Sequence, residues 1–156
     1  MEIGIQEQED LDLDWFCVDE AGDLGHFTTA GFKRLPASVA RSAEDLKVVT
    51  EYFRNAAAID GHGIDDGLAD EIPDPANRGE RYLRSFVAAA DRGLFSFDIA
   101  SYLKPGICYF RVAIPSKSLR FDELPDNIRD IVGRTVLKGK LLRACSRIPY
   151  QDTLGL

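Results

Sequence analysis

Between Asp14 and Gly31 two apolar runs, Trp15-Phe16-Cys17-Val18 and Leu24-Gly25-His26-Phe27-Thr28, flank an acidic break, Asp19-Glu20-Ala21-Gly22-Asp23. Aromatic and β-branched residues suit a pleated surface, and Asp with Gly supplies turn chemistry, so the stretch predicts a β-hairpin with a three- to five-residue loop. Alternation along a strand sends Trp15 and Cys17 to one face and Phe16 and Val18 to the other. Both sets are apolar. The strand is therefore predicted to be covered on both faces and to lie near the centre of the fold.

The remaining periodicities predict helices and a second pair of strands. Ser42 reads as the N-cap of a helix with Glu44 and Asp45 in its first turn. Leu46, Val49, Thr50 and Phe53 form its buried stripe, and it is expected to end near Ala57 or Ala58. Glu80 to Gly93 is the clearest helix, with Leu83, Phe86, Val87 and Ala90 facing inward and Gly93 closing it. Leu94 to Ile99 alternates at period two, Lys104-Pro105-Gly106 predicts a turn, and Ile107 to Ile114 predicts a strand stopped by Pro115. Pro125, Ile128, Ile131, Val132 and Val136 fit a helix opening near Leu124, whereas Thr135 to Leu142 reads equally as a strand interrupted by Gly139.

Two stretches carry little periodicity. Residues 1–12 are acidic and are expected to fray as an arm. Residues 59–80, with seven acids, one Arg, four glycines and two prolines, are expected to form one long acidic loop, a length uncommon in compact domains unless the loop is functional or mobile. The expectation is a single α+β domain over residues 1–156, a mostly antiparallel sheet packed with two to three helices.

Composition narrows the classes. At 156 residues the chain can bury a core without staples, and no apolar run approaches the roughly 20 residues that span a bilayer. The N-terminus lacks the basic and apolar regions of a secretion signal, and three scattered cysteines, Cys17, Cys108 and Cys145, form neither a disulfide framework nor a CxxC metal pattern. These features point to a cytoplasmic protein with reduced cysteines. Residues 1–32 hold nine acids and no Lys or Arg, whereas residues 101–156 hold ten bases and five acids. Either the two ends neutralise each other internally, or an acidic face meets a basic partner protein. A pI near 4.8 argues against nucleic acid as the main ligand.

Candidate chemistry is sparse. In the acidic loop Asp60, His62 and Asp65 or Asp66 are able to converge, and Glu71 stands twelfth from Asp60, as in a calcium loop. Position five is Ile64 and position six is Asp65, where an oxygen ligand and a Gly are needed, so no metal or other cofactor is expected. Two histidines are present. His26 lies in a strand, His62 between two glycines, and Cys17 with His26 forms a Cys-His pair on paper. Lys138, Lys140, Arg143 and Arg147 have no interleaved aromatics for single-stranded nucleic acid and suit a solvated face or a partner for the acidic N-terminus.

The pattern Trp15-Phe16-x-x-Asp19-x-x-Gly22 with Phe27 resembles the hairpin of small bacterial immunity proteins, including those of the SUKH type. The longer WFxxD…GHFTxxG stretch is similar to one carried by other small bacterial proteins. The resemblance implies a non-enzymatic antitoxin that blocks its partner through an acidic surface. Read with the residues, it leads to a protein-binding module docking a basic partner through Asp60, His62, Asp65, Asp66, Asp70, Glu71 and Asp74. The alternative is a small hydrolase-like enzyme using His26 or His62 with nearby carboxylates.

Overall fold

The computed structural model describes residues 1–31, 33–100 and 107–156. Its centre is the predicted hairpin: β1 (Asp14–Asp19) and β2 (Leu24–Thr28) pair antiparallel with Trp15 opposite Phe27, Phe16 opposite His26 and Cys17 opposite Gly25. Gly22 closes the turn at φ +85°, a conformation that glycine adopts without a Cβ penalty. The other side of β1 takes the two-residue strand β6 (Val136–Leu137) in parallel. The other side of β2 takes β4 (Phe95–Ile99), also parallel, and β4 pairs antiparallel with β5 (Cys108–Pro115). The outer edge of β5 is shared by two short strands, β3 (His62–Ile64) at its end and β7 (Arg147–Pro149) at its start. Among the described residues, antiparallel pairing thus dominates a mixed seven-stranded sheet.

Both faces are covered, as the two-sided apolar pattern requires. On one face Trp15 stacks on Phe27 at 4.2 Å and Phe27 on Phe97 at 4.7 Å, while the indole of Trp15 donates to the Tyr109 hydroxyl at 3.2 Å. Ile3, Leu35, Ala40, Leu142 and Ile148 close over this aromatic row. Helix α2 (Ala37–Ala40) and the C-terminal tail, ending in α7 (Gln151–Leu154), form the cover. On the opposite face Phe16, Val18 and Leu24 pack against α3 (Ala43–Asn55) through Val49 and Phe53, α5 (Glu80–Asp91) through Ala89, and α6 (Asp126–Val132) through Ile128 and Val132.

The helix signals hold, with shorter ends than expected. Ser42 Oγ accepts from the Asp45 amide at 3.1 Å, and α3 stops at Asn55, where Ala56 turns extended. Past Arg92, Gly93 takes φ +93°, and a Cβ there would meet the Leu119 backbone nitrogen at 2.3 Å. Helix α6 ends at Val132, and Val136, expected on its stripe, sits in β6 instead. The predicted turn at Lys104-Pro105-Gly106 lies outside the described residues.

Two expectations are corrected. Residues 1–12 do not fray: α1 (Ile5–Asp10) is anchored by Ile3, which is buried and donates its amide to the Ala40 carbonyl at 2.7 Å. The side chain of Gln8, itself buried, bridges the Ile3 carbonyl and the Leu35 amide, which closes the arm onto the body. Residues 59–80 are not one loop either. They hold β3, the one-turn helix α4 (Leu68–Glu71) and a 3₁₀ turn (Pro75–Arg78), because β3 finds a free edge on β5 and the aspartates cap the turns between. Among the described residues no helix is long and apolar enough to cross a membrane.

The opposite charges of the two chain ends meet. Asp19 and Asp23, both buried in the hairpin turn, draw in the C-terminal half: Asp23 receives Arg120 at 2.7 Å and Arg143 at 3.3 Å. Asp19 accepts the amides of Ala21, Asp23 and Leu142 at 3.0, 2.9 and 2.9 Å. Removing that carboxylate strands three amide donors in and around a buried turn, each hydrogen bond to a charged group being worth roughly 1.5–3 kcal/mol. Asp19→Ala is expected to lower the unfolding free energy by about 3–5 kcal/mol in urea titration; a loss below about 1 kcal/mol would show that water replaces the carboxylate.

Candidate functional site

The acidic segment divides its carboxylates between structure and solvent. Asp65, 8% exposed, accepts the Gly67 amide at 2.8 Å on one oxygen and Arg111 Nε at 2.7 Å on the other. Glu71 pairs with Arg147 at 2.7 Å. These two pairs tie α4 down onto β5 and β7 around a hollow of about 200 Å³, whose wall also includes Asp70. Asp74 is exposed and caps the 3₁₀ turn through the Ala76 amide at 3.0 Å, and exposed Asp60 accepts from Gly61 at 2.7 Å. Asp66 and Asp70 are exposed. Since Arg111 already occupies Asp65, the carboxylates do not converge, and among the described residues no group of three His, Cys, Asp or Glu is placed to hold a metal ion.

His62 belongs to the same segment but is held from α5. Its Nδ1 lies 2.7 Å from Asp91 Oδ1, while the Asp91 carbonyl accepts the Ile59 amide at 2.7 Å. Asp91 therefore fixes the entry to β3 twice, once by backbone and once by side chain. The pair stands at the surface, with about a third of each side chain exposed.

His26 occupies the other candidate position. Cys17 is not its partner: the hairpin register sets Cys17 opposite Gly25, so thiol and imidazole leave on opposite faces, and burial pushes the Cys17 thiol far above its ordinary range. On its own face His26 is flanked by β1 and β4. Nδ1 lies 2.7 Å from Ser96 Oγ, and Nε2 lies 3.4 Å from Asp14 Oδ1. His26 Nδ1 and the Ser96 hydroxyl share one hydrogen bond, whose donor is set by the tautomer of the ring. Ser96, His26 and Asp14 make a Ser-His-Asp series in the wrong sense for acyl transfer. The serine is fully buried while the carboxylate is 43% exposed at the mouth of a cavity of about 150 Å³, so the hydroxyl has no access to a substrate.

The polar row continues across the sheet. Thr28 donates to Asp12 at 2.6 Å, and the hydroxyl of Tyr82, from α5, donates to Asp98 Oδ2 at 2.6 Å. Burial raises the Asp98 carboxyl above its ordinary range, against the lowering effect of the Tyr82 bond and of the Ile99 amide at 2.8 Å. Asp14, Ser96, Asp98 and Tyr82 were not singled out from the sequence. The signal was present in Phe95-Ser96-Phe97-Asp98-Ile99, where two polar residues share one face of an otherwise apolar strand.

Comparison with protein-family models, curated proteins and solved structures finds no match to this chain.

The folded protein holds the Asp98 proton more tightly than the unfolded chain, so the stability that Asp98 contributes is complete at low pH. It is lost as pH rises from the ordinary aspartate range through the raised value. Asp98→Asn keeps a carbonyl for the Ile99 amide and offers an amide hydrogen to the Tyr82 oxygen. Urea titrations at a series of pH values are expected to lose that downward slope in the variant; an unchanged slope would mean that Asp98 ionises in the folded state as it does in water.

Proposed function

We propose that the protein is a cytoplasmic, non-enzymatic protein-binding module of the immunity type, docking a basic partner protein through segment 59–80. The observation that carries this reading is the division of labour among the acids of that segment. Asp65 and Glu71 turn inward to Arg111 and Arg147 and fix the backbone, while Asp60, Asp66, Asp70 and Asp74 stay exposed on the framework so formed. A rigid array of carboxylates loses little conformational entropy on association and steers a cationic partner by long-range attraction. The reading is further supported by the sealed position of Ser96, whose hydroxyl, bonded to His26, is closed off from solvent. An overall formal charge of −7 suits a basic protein and disfavours a polyanion.

The triple variant Asp60→Asn, Asp66→Asn, Asp74→Asn removes three charges and keeps an acceptor at each capping position. Against a partner captured from lysate of the native host and then purified, the variant is expected to associate about tenfold more slowly at low salt, with a flatter dependence of rate on ionic strength. Equal rates and equal salt dependence for both proteins would remove segment 59–80 as the docking surface.

A further inference from the structure

The cavity above His26 has a composition that docking through segment 59–80 does not use. It lies between the helix-covered face of the sheet and helices α3 and α5, and its volume of about 150 Å³ is several times the roughly 10–15 Å³ that one water requires. A neighbouring hollow of about 380 Å³ shares three of its wall residues, Asp14, Thr50 and Arg54. The floor is apolar, with Phe16 and Phe53 stacked at 4.7 Å. His26, its side chain 5% exposed, reaches the cavity from below and stands beside Asp14.

Two of the charges on these walls, Asp14 and Arg54, are of opposite sign and do not pair with each other. Asp14 has His26 as its ion-pair neighbour, and among the described residues the Arg54 guanidinium forms no ion pair, although both side chains line both hollows. A carboxylate and a guanidinium left apart across an apolar floor are complementary to a molecule carrying both charges. An ammonium group would sit on Asp14, and a carboxylate would take the two-pronged donor face of Arg54. The Thr50 hydroxyl lies on the wall common to both hollows and is able to bond either end.

We propose that this cavity is a binding site for a small zwitterion, an α-amino acid with an apolar side chain. Asp14, oriented by His26, receives the ammonium; Arg54 receives the carboxylate; Phe16 and Phe53 receive the side chain. None of these residues belongs to segment 59–80, so the site and the docking surface stand or fall separately.

The test is titration of the intact protein with L-alanine, L-valine and L-leucine, followed by calorimetry and by amide shifts of α3 and β1. Isobutylamine and isobutyrate serve as probes carrying one charge each. Saturable binding of at least one amino acid is expected, with both single-charge probes at least about tenfold weaker, since each lacks one charge-assisted contact. Asp14→Asn and Arg54→Gln, both at accessible positions, are each expected to raise Kd about tenfold or more while leaving the circular dichroism spectrum and Tm unchanged. The absence of saturation with all three amino acids overturns the proposal. So does isobutylamine binding as tightly as the amino acid, or an affinity that survives Arg54→Gln.

Discussion

Two carboxylates buried in one tight turn set the terms for the rest of this structure. Asp19 and Asp23 are almost fully removed from water, and an ionised carboxylate in that position demands donors around it. The turn supplies some itself, through the amides of Ala21 and Asp23, but the others come from the far end of the chain. Leu142 is 123 residues from Asp19, and Arg120 and Arg143 are 97 and 120 residues from Asp23. The C-terminal half must therefore close over the hairpin before the hairpin itself is satisfied. Arg143 also lies over the Phe95 ring at 5.7 Å, so the same side chain seals the aromatic layer that it approaches. The imbalance of acids at the start and bases at the end is the sequence-level trace of this closure.

The two faces of the sheet divide structure from possible chemistry. The face carrying Trp15, Phe27, Phe97 and Tyr109 is apolar and needs no polar partner beyond the indole and phenol that bond each other. The other face changes character along its length. Near Val18 and Leu24 it is an ordinary core beneath α3 and α6, whereas at the Asp14 end it becomes a row of Asp14, His26, Ser96 and Asp98. Burying such a row costs free energy, and the raised Asp98 carboxyl records that cost. The cavity lies over this polar end, between the sheet and helices α3 and α5.

Segment 59–80 illustrates how similar residues take different roles within a few positions. Asp65 and Asp66 are adjacent, yet the first is buried against Arg111 and the second is exposed. The difference arises from the chain leaving β3, where Asp65 donates its amide to the Val112 carbonyl at 2.9 Å and its side chain follows that edge inward. Local composition therefore marks the segment as acidic, while the edge of β5 decides which acids point outward.

The sequence by itself determined the local elements: the hairpin, from aromatic and β-branched runs around an Asp-Gly turn; α3, from its Ser42 cap; α5 with Gly93 beyond its end; and the two later strands. These signals act over a few residues, through backbone preference and side-chain period, and so can be read without the fold. Only the tertiary structure decided that Gln8 and Ile3 anchor the N-terminus, that β3 and β7 share one edge of β5, and that Val136 leaves the helical stripe for a strand. It also decided that His26 meets Asp14 and Ser96 instead of Cys17. Strand register and lateral order settle that meeting, and both follow from which faces the whole chain manages to bury together.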